Sequence, residues 1–130
     1  MITKGKIKDL LLTEGLNLLG VSITDLLSRK RGECRVNARR LIMSAFYDLC
    51  GMYGIKATSV YVADFMNRDH STVLYHVGVN NDYCEVDDTY REMYEEFVEV
   101  MLAHLQSHGA GNFYALETSK LIKTVNENQN

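Results

Sequence analysis

Apolar positions recur with a helical period along most of this chain. Ile7, Leu10, Leu11, Leu18 and Leu19 predict a first helix from about Lys6 to Gly20, with Gly15 inside it. Ser22-Ile23-Thr24-Asp25 fits a capping box, with Ser22 as N-cap and Asp25 reaching back, ahead of a short helix through Leu26 and Leu27 to about Ser28. Arg29 to Arg35 reads as a basic loop. The clearest pattern follows it: Ala38, Leu41, Ile42, Ala45, Phe46, Leu49 and Cys50 form one stripe at i, i+3, i+4 spacing. Arg39 lies away from that stripe on the helical wheel. Gly51 to Lys56 reads as a turn, after which Thr58 or Ser59 caps a short helix carrying Val62, Ala63, Phe65 and Met66.

A tight turn at Asn67-Arg68 leads to Asp69-His70-Ser71-Thr72-Val73-Leu74-Tyr75-His76. Asp69 is an N-cap whose carboxylate can accept from the amide of Ser71 or Thr72. The wheel puts Val73, Leu74 and Val77 on one side, Ser71, Thr72 and Tyr75 on the other, and His70 near the apolar side. Two helices joined by a tight turn, the second presenting small polar groups at its start, make a helix-turn-helix. The second helix is expected to fade at Gly78 and Asn80-Asn81-Asp82. Asp87 and Asp88 then start a long helix with Tyr90, Met93, Tyr94, Phe97, Val98, Met101 and Leu105 on one stripe. Glu92, Glu95, Glu96 and Glu99 face away as a solvated surface. Gly109-Ala110-Gly111 breaks the chain before a last amphipathic helix within 112–125 and a polar tail. These elements imply an all-α domain over residues 1–108 and a C-terminal extension over 109–130, partly helical with a disordered tail.

Composition narrows the function more through its layout than its totals. The 130 residues carry a net charge of −3, which does not itself suggest a nucleic-acid partner. Residues 1–60, however, hold ten Lys or Arg against five Asp or Glu, while residues 61–130 hold four against twelve. Such asymmetry can mark a basic binding face backed by an acidic one. No apolar run approaches the roughly 18 residues of a membrane span, and no signal-peptide pattern opens the chain. Cys34, Cys50 and Cys84 are widely spaced with no C-x-x-C pair, which favours reduced thiols in a cytoplasm over a disulfide framework or zinc module. Arg35, Arg39 and Arg40 near the start of the central helix oppose its dipole, a conflict that a bound phosphate would remove.

Arg68-Asp69-His70-Ser71-Thr72-Val73-Leu74 resembles the signature of the C-terminal DNA-binding domain of DnaA, the bacterial replication initiator. The order of elements follows that family from about Thr3 to Leu105. The resemblance implies a Trp-repressor-like helix-turn-helix fold that binds double-stranded DNA in replication initiation or its regulation, as at a replication origin. In the family the signature helix enters the major groove, which implies base contacts from Asp69, His70, Ser71 and Thr72, with Arg68 and Tyr75 beside them. A loop arginine enters the minor groove, and Arg31 aligns with it, flanked by Arg29, Lys30 and Arg35. Basic and polar residues at the start of the central helix hold the backbone and neighbouring bases, which implies Arg39 and Arg40.

The residue chemistry agrees, since hydroxyls and their methyls can meet thymine methyls and an arginine suits a narrow minor groove. The chain departs from the family at Glu33 in the loop, at Val77-Gly78-Val79-Asn80-Asn81 where basic residues are usual, and in a longer connection at about Cys50 to Ala57. Lost positive charge implies weaker or more salt-sensitive binding. With no G-x-x-x-x-G-K-[ST] motif and no length for an ATPase domain, the expectation is the DNA-binding module standing alone.

The competing expectation is a protein-interaction or transcription-regulating module on the same scaffold. There the acidic helices would pack on a second copy or on a replication or transcription protein. An enzyme is not expected: Asp69, His70 and Ser71 are consecutive and project about 100° apart in a helix, so they cannot form a triad. His104 and His108 share a face at i, i+4 but lack a third ligand nearby, so no metal or cofactor is expected.

Overall fold

A computed structural model describes residues 1–107, which form six helices and, among the described residues, no strand. The first, α1, runs over residues 4–19 as Lys4–Leu10, a π turn at Leu11–Gly15 and Leu16–Leu19. It starts two residues earlier than its apolar pattern suggests because Thr3 caps it, its hydroxyl accepting from Lys6 N–H. Gly15 belongs inside this helix for a packing reason. A Cβ there would lie 3.3 Å from Ile42 Cδ1 and 3.4 Å from Phe97 Cζ, so the missing side chain lets α1 approach the core. Gly20 ends the helix at φ +70°, a left-handed cap that glycine adopts without strain.

Ser22 caps α2 (Ile23–Leu27), accepting from Asp25 N–H at 3.1 Å. Half of the expected box is replaced: the Asp25 carboxylate lies 3.7 Å from Arg35 Nε as an ion pair. The central helix α3 is Glu33–Met52. It begins inside the stretch expected to be loop, so the loop proper is short and Arg35 lies in the first turn. Glu33 in that turn suits the positive helix end, which softens the conflict with the arginines.

Thr58 caps α4 (Ser59–Met66), accepting from Tyr61 N–H at 3.2 Å. Asn67 follows at φ +54° and turns the chain into α5 (His70–Val86). Contrary to the glycine and asparagine signal, α5 runs straight through Gly78. Asn80, 1% exposed, accepts from Tyr90 O–H at 2.6 Å, which makes it a buried tie rather than a helix stop. A single residue, Asp87, then caps α6 (Asp88–Gln106).

The core is built around α3, whose residues from Ala38 to Phe46 are all buried. Phe46, Ile42, Met43 and Leu49 meet Ile7 and Leu11 of α1, Val62 and Met66 of α4, Val73 of α5, and Phe97 and Met101 of α6 in one cluster. Burying such large side chains supplies about 1.5–3 kcal/mol each, the dominant favourable term for a small helical domain. α5 packs on α3, α4 and α6. The α4–Asn67–α5 pair is thus a helix-turn-helix seated on the central helix. None of the described helices is long and apolar enough to cross a membrane. His108 and the extension 109–130, with its expected helix and tail, lie outside the described residues.

Candidate nucleic-acid interface

The loop of residues 28–32 and the start of α5 are about forty positions apart in sequence, yet Arg68 ties the turn before α5 to the loop that Arg39 of α3 also holds. Arg39 is not on an outer face of α3, as the wheel suggests. It is 4% exposed and donates from Nε to Leu26 O at 2.7 Å. Its Nη2 lies within 3.0 Å of the carbonyls of Asp25, Ser28 and Lys30. Arg39 therefore clamps α2 and the loop. Arg68, in the helix-turn-helix turn, donates from Nη1 to Asn67 O at 2.9 Å and from Nη2 to Ser28 O. Ser28 O accepts from both guanidinium groups. Arg68 thus holds the turn against the loop.

Between the loop and α5 lies a cleft of about 440 Å³, lined by Arg29, Arg31, Val36, Arg39, Arg40, Arg68, Thr72, Tyr75 and His76. It gathers most of the expected residues on one surface and contains no carboxylate. Arg29 and Arg31 are exposed at its rim. Arg40 is 7% exposed, with Nη1 3.3 Å from Asn37 Oδ1 and its guanidinium 5.2 Å from the Tyr83 ring centre. Arg35 stays apart, paired with Asp25, and Lys30 projects from the loop outside the cleft lining. The concentration of charge is felt by its members. Burial, then Arg68 and Arg35, lowers the proton affinity of Arg39; burial, then Arg29, lowers that of Arg68.

The tip of α5 carries Asp69, His70 and Ser71 exposed and Thr72 half-buried. Asp69 has the extended backbone of an N-cap, but its carboxylate makes no cap hydrogen bond, contrary to expectation. That leaves an acceptor at the helix tip, where a carboxylate can accept from cytosine N4. His70 points out rather than toward the apolar side. Leu74 is also misplaced by the wheel: it is 55% exposed, and Tyr75 beside it is 64% exposed, while Val73 is buried. Arg29, Val60, Ala63, Asp64, Asn67, Arg68 and Asp69 line a second, shallower depression across the turn.

Residue-by-residue reading overlooked His76 and Tyr83. His76 follows Thr72 by four positions, so the helical period alone assigns it to the face of Thr72. Tyr83 carried no such signal, because α5 was expected to end before it. Among the described residues no three His, Cys, Asp or Glu side chains assemble into a potential metal site. The three cysteines are unpaired, Cys34 exposed and Cys50 buried. No family model matches this chain, and searches of curated proteins and of solved structures also find no match.

Proposed function

We propose that this protein is a non-catalytic, sequence-preferring binder of double-stranded DNA. In this reading the start of α5 enters the major groove, where Asp69, His70, Ser71 and Thr72 meet base edges and Tyr75 flanks them. Arg31, with Arg29 beside it, reaches the neighbouring minor groove, while Arg40 and Lys30 act on the backbone. The observation that carries the reading is the carboxylate-free arginine cleft, which joins the rim arginines Arg29 and Arg31 to the exposed face of a helix-turn-helix. A basic surface contiguous with a polar helix tip is the footprint that groove recognition requires. The resemblance of Arg68 to Leu74 to the DnaA signature adds the process, replication initiation or its regulation in the cytoplasm.

The test is fluorescence anisotropy on duplex DNA, comparing a site preferred by the DnaA family with a scrambled duplex at two salt concentrations. The family site should bind more tightly, and Arg31→Ala and His70→Ala should each lose about 1–3 kcal/mol. Equal binding to both duplexes that salt abolishes would remove the sequence preference. Absence of binding at low salt would overturn the reading in favour of a protein-interaction module, whose partner would then be sought on the glutamates of α6.

A further inference from the structure

His76 lies one turn beyond Thr72 on α5, set back from the helix tip. Its ring is half-buried, and its Nδ1 is fully buried without a hydrogen-bond partner. Arg29 and Arg31 reach the same cleft from the loop, Arg39 and Arg40 from α3, and Arg68 from the turn; Thr72 and Tyr75 flank it on its own helix. Burial lowers the proton affinity of His76, and Arg40, Arg39 and Arg68 lower it further, so the empty cleft favours the neutral ring.

No carboxylate lines this cleft, and the pull of Asp25 on Arg39 is outweighed by burial, Arg68 and Arg35. Arg39 and Arg68 direct their N–H groups to backbone carbonyls, which satisfy hydrogen bonds but leave the charge. Arg40 is more than nine-tenths buried, and its Nε has no partner. Clustered positive charge with so little solvent around Arg40 is costly, and a tetrahedral oxyanion in the cleft relieves it. We propose that the cleft bounded by Arg29, Arg31, Arg40 and His76 is a phosphate-binding site in which His76 is the pH-sensitive donor. The anion offsets part of the positive field at His76, and the imidazole takes a proton from solvent. Both ring nitrogens then carry hydrogen, and Nδ1 gains the partner it lacks. Binding is therefore proton-linked, strongest at acid pH and weakening as pH rises through the value at which the liganded His76 titrates. The inference rests on the DNA-binding reading only for the source of the phosphate, which a duplex backbone or a free phosphate would each supply.

The experiment follows the His76 ring by NMR in the full chain across pH, with His76→Gln identifying the resonance. Dimethyl phosphate, inorganic phosphate and chloride at matched ionic strength are the three additions. Dimethyl phosphate keeps one charge throughout, so its pH dependence reports His76 alone, whereas phosphate with a free second acidity titrates near about 6 itself. Either phosphate should raise the His76 midpoint, each unit of rise corresponding to tenfold tighter binding of the protonated form. A response to dimethyl phosphate supports the site and assigns it to a nucleic-acid backbone. A response to inorganic phosphate alone supports the site and assigns it to a free or terminal phosphate. A ring that neither compound moves beyond the chloride control overturns the inference, even if duplex DNA binds. A ring that responds in a protein that binds no duplex leaves the site standing and removes the DNA reading instead.

Discussion

Replacing Arg39 separates scaffolding from contact more sharply than any other change. In Arg39→Ala the carbonyl of Leu26 loses a buried partner at 2.7 Å, and those of Asp25, Ser28 and Lys30 lose part-buried ones. A hydrogen bond from a charged donor is worth about 1.5–3 kcal/mol, and an abandoned buried acceptor adds to the loss. The three rim carbonyls share one Nη2, which has two protons, and water can replace it there, so together they contribute about 1–2 kcal/mol. The expected destabilisation is about 3–4 kcal/mol, which lowers Tm by about 12–16 °C in a domain of this size. Arg39→Lys should lose nearly as much, because a single ammonium cannot reproduce the fork that meets α2 and the loop together. Thermal unfolding by circular dichroism reads the effect, with Arg31→Ala as the comparison, since that exposed side chain should leave Tm almost unchanged. An Arg39→Ala protein that melts within about 4 °C of wild type, yet binds duplex as poorly as Arg31→Ala, would refute the reasoning. The guanidinium would then be free for DNA rather than committed to the loop.

Gly15→Val should destabilise by about 2–3 kcal/mol, because the first added carbon already lies 3.3 Å from Ile42 Cδ1 and the two methyls beyond it have no space, and chemical denaturation measures this. A melt in which Gly15→Val matches wild type would show that α1 can move off the core. Burial pushes the Tyr90 hydroxyl up to about 12, and burial, with the Asp48 hydrogen bond next, pushes Tyr94 higher still. The folded state thus retains protons that the unfolded chain releases near about 10. This stabilisation is fully present below that pH and is lost as pH rises through it toward the folded values. Ultraviolet titration of tyrosinate should show a late-titrating group that joins the others only on unfolding. Normal titration of all eight tyrosines in the folded protein would contradict the burial of this pair.

The helical class, the order of the elements and most caps could be read from the sequence, because periodicity and capping are local. Ser22 and Asp87 cap where the pattern puts them, and the α3 stripe is buried as expected. The errors share one physical origin. A wheel assumes a helix with a wet side, whereas α3 is enclosed, so Arg39 on its supposed outer face is covered by α2 and the loop. Gly78 reads as a stop because glycine costs a helix about 1 kcal/mol, but packing on three neighbouring helices outweighs that and carries α5 on to Val86. Leu74 shows the opposite failure, an apolar residue left on the surface beside Tyr75. At the candidate site each basic residue could be found singly. Their convergence could not, since it depends on Arg68 meeting Ser28 across forty positions.

That long-range clamp also explains how the loop can present its charges. The carbonyls of Ser28 and Lys30 are drawn inward by Arg39, and Arg68 holds Ser28 a second time. Fixing the backbone at alternate residues leaves Arg29 and Arg31 exposed at the cleft rim. An unclamped basic loop would lose conformational entropy on meeting a ligand, at about 0.5–1.5 kcal/mol for each side chain ordered and more for its backbone. Here the backbone part of that cost is met during folding. The arginines accordingly fall into two kinds that composition cannot separate. Arg39 and Arg68 hold the surface in shape through neutral acceptors, while Arg29, Arg31 and Arg40 keep charge available in the cleft. Their substitutions should diverge in kind, Arg39 and Arg68 lowering Tm, exposed Arg29 and Arg31 changing salt and pH dependence of binding at constant Tm, and buried Arg40 changing both.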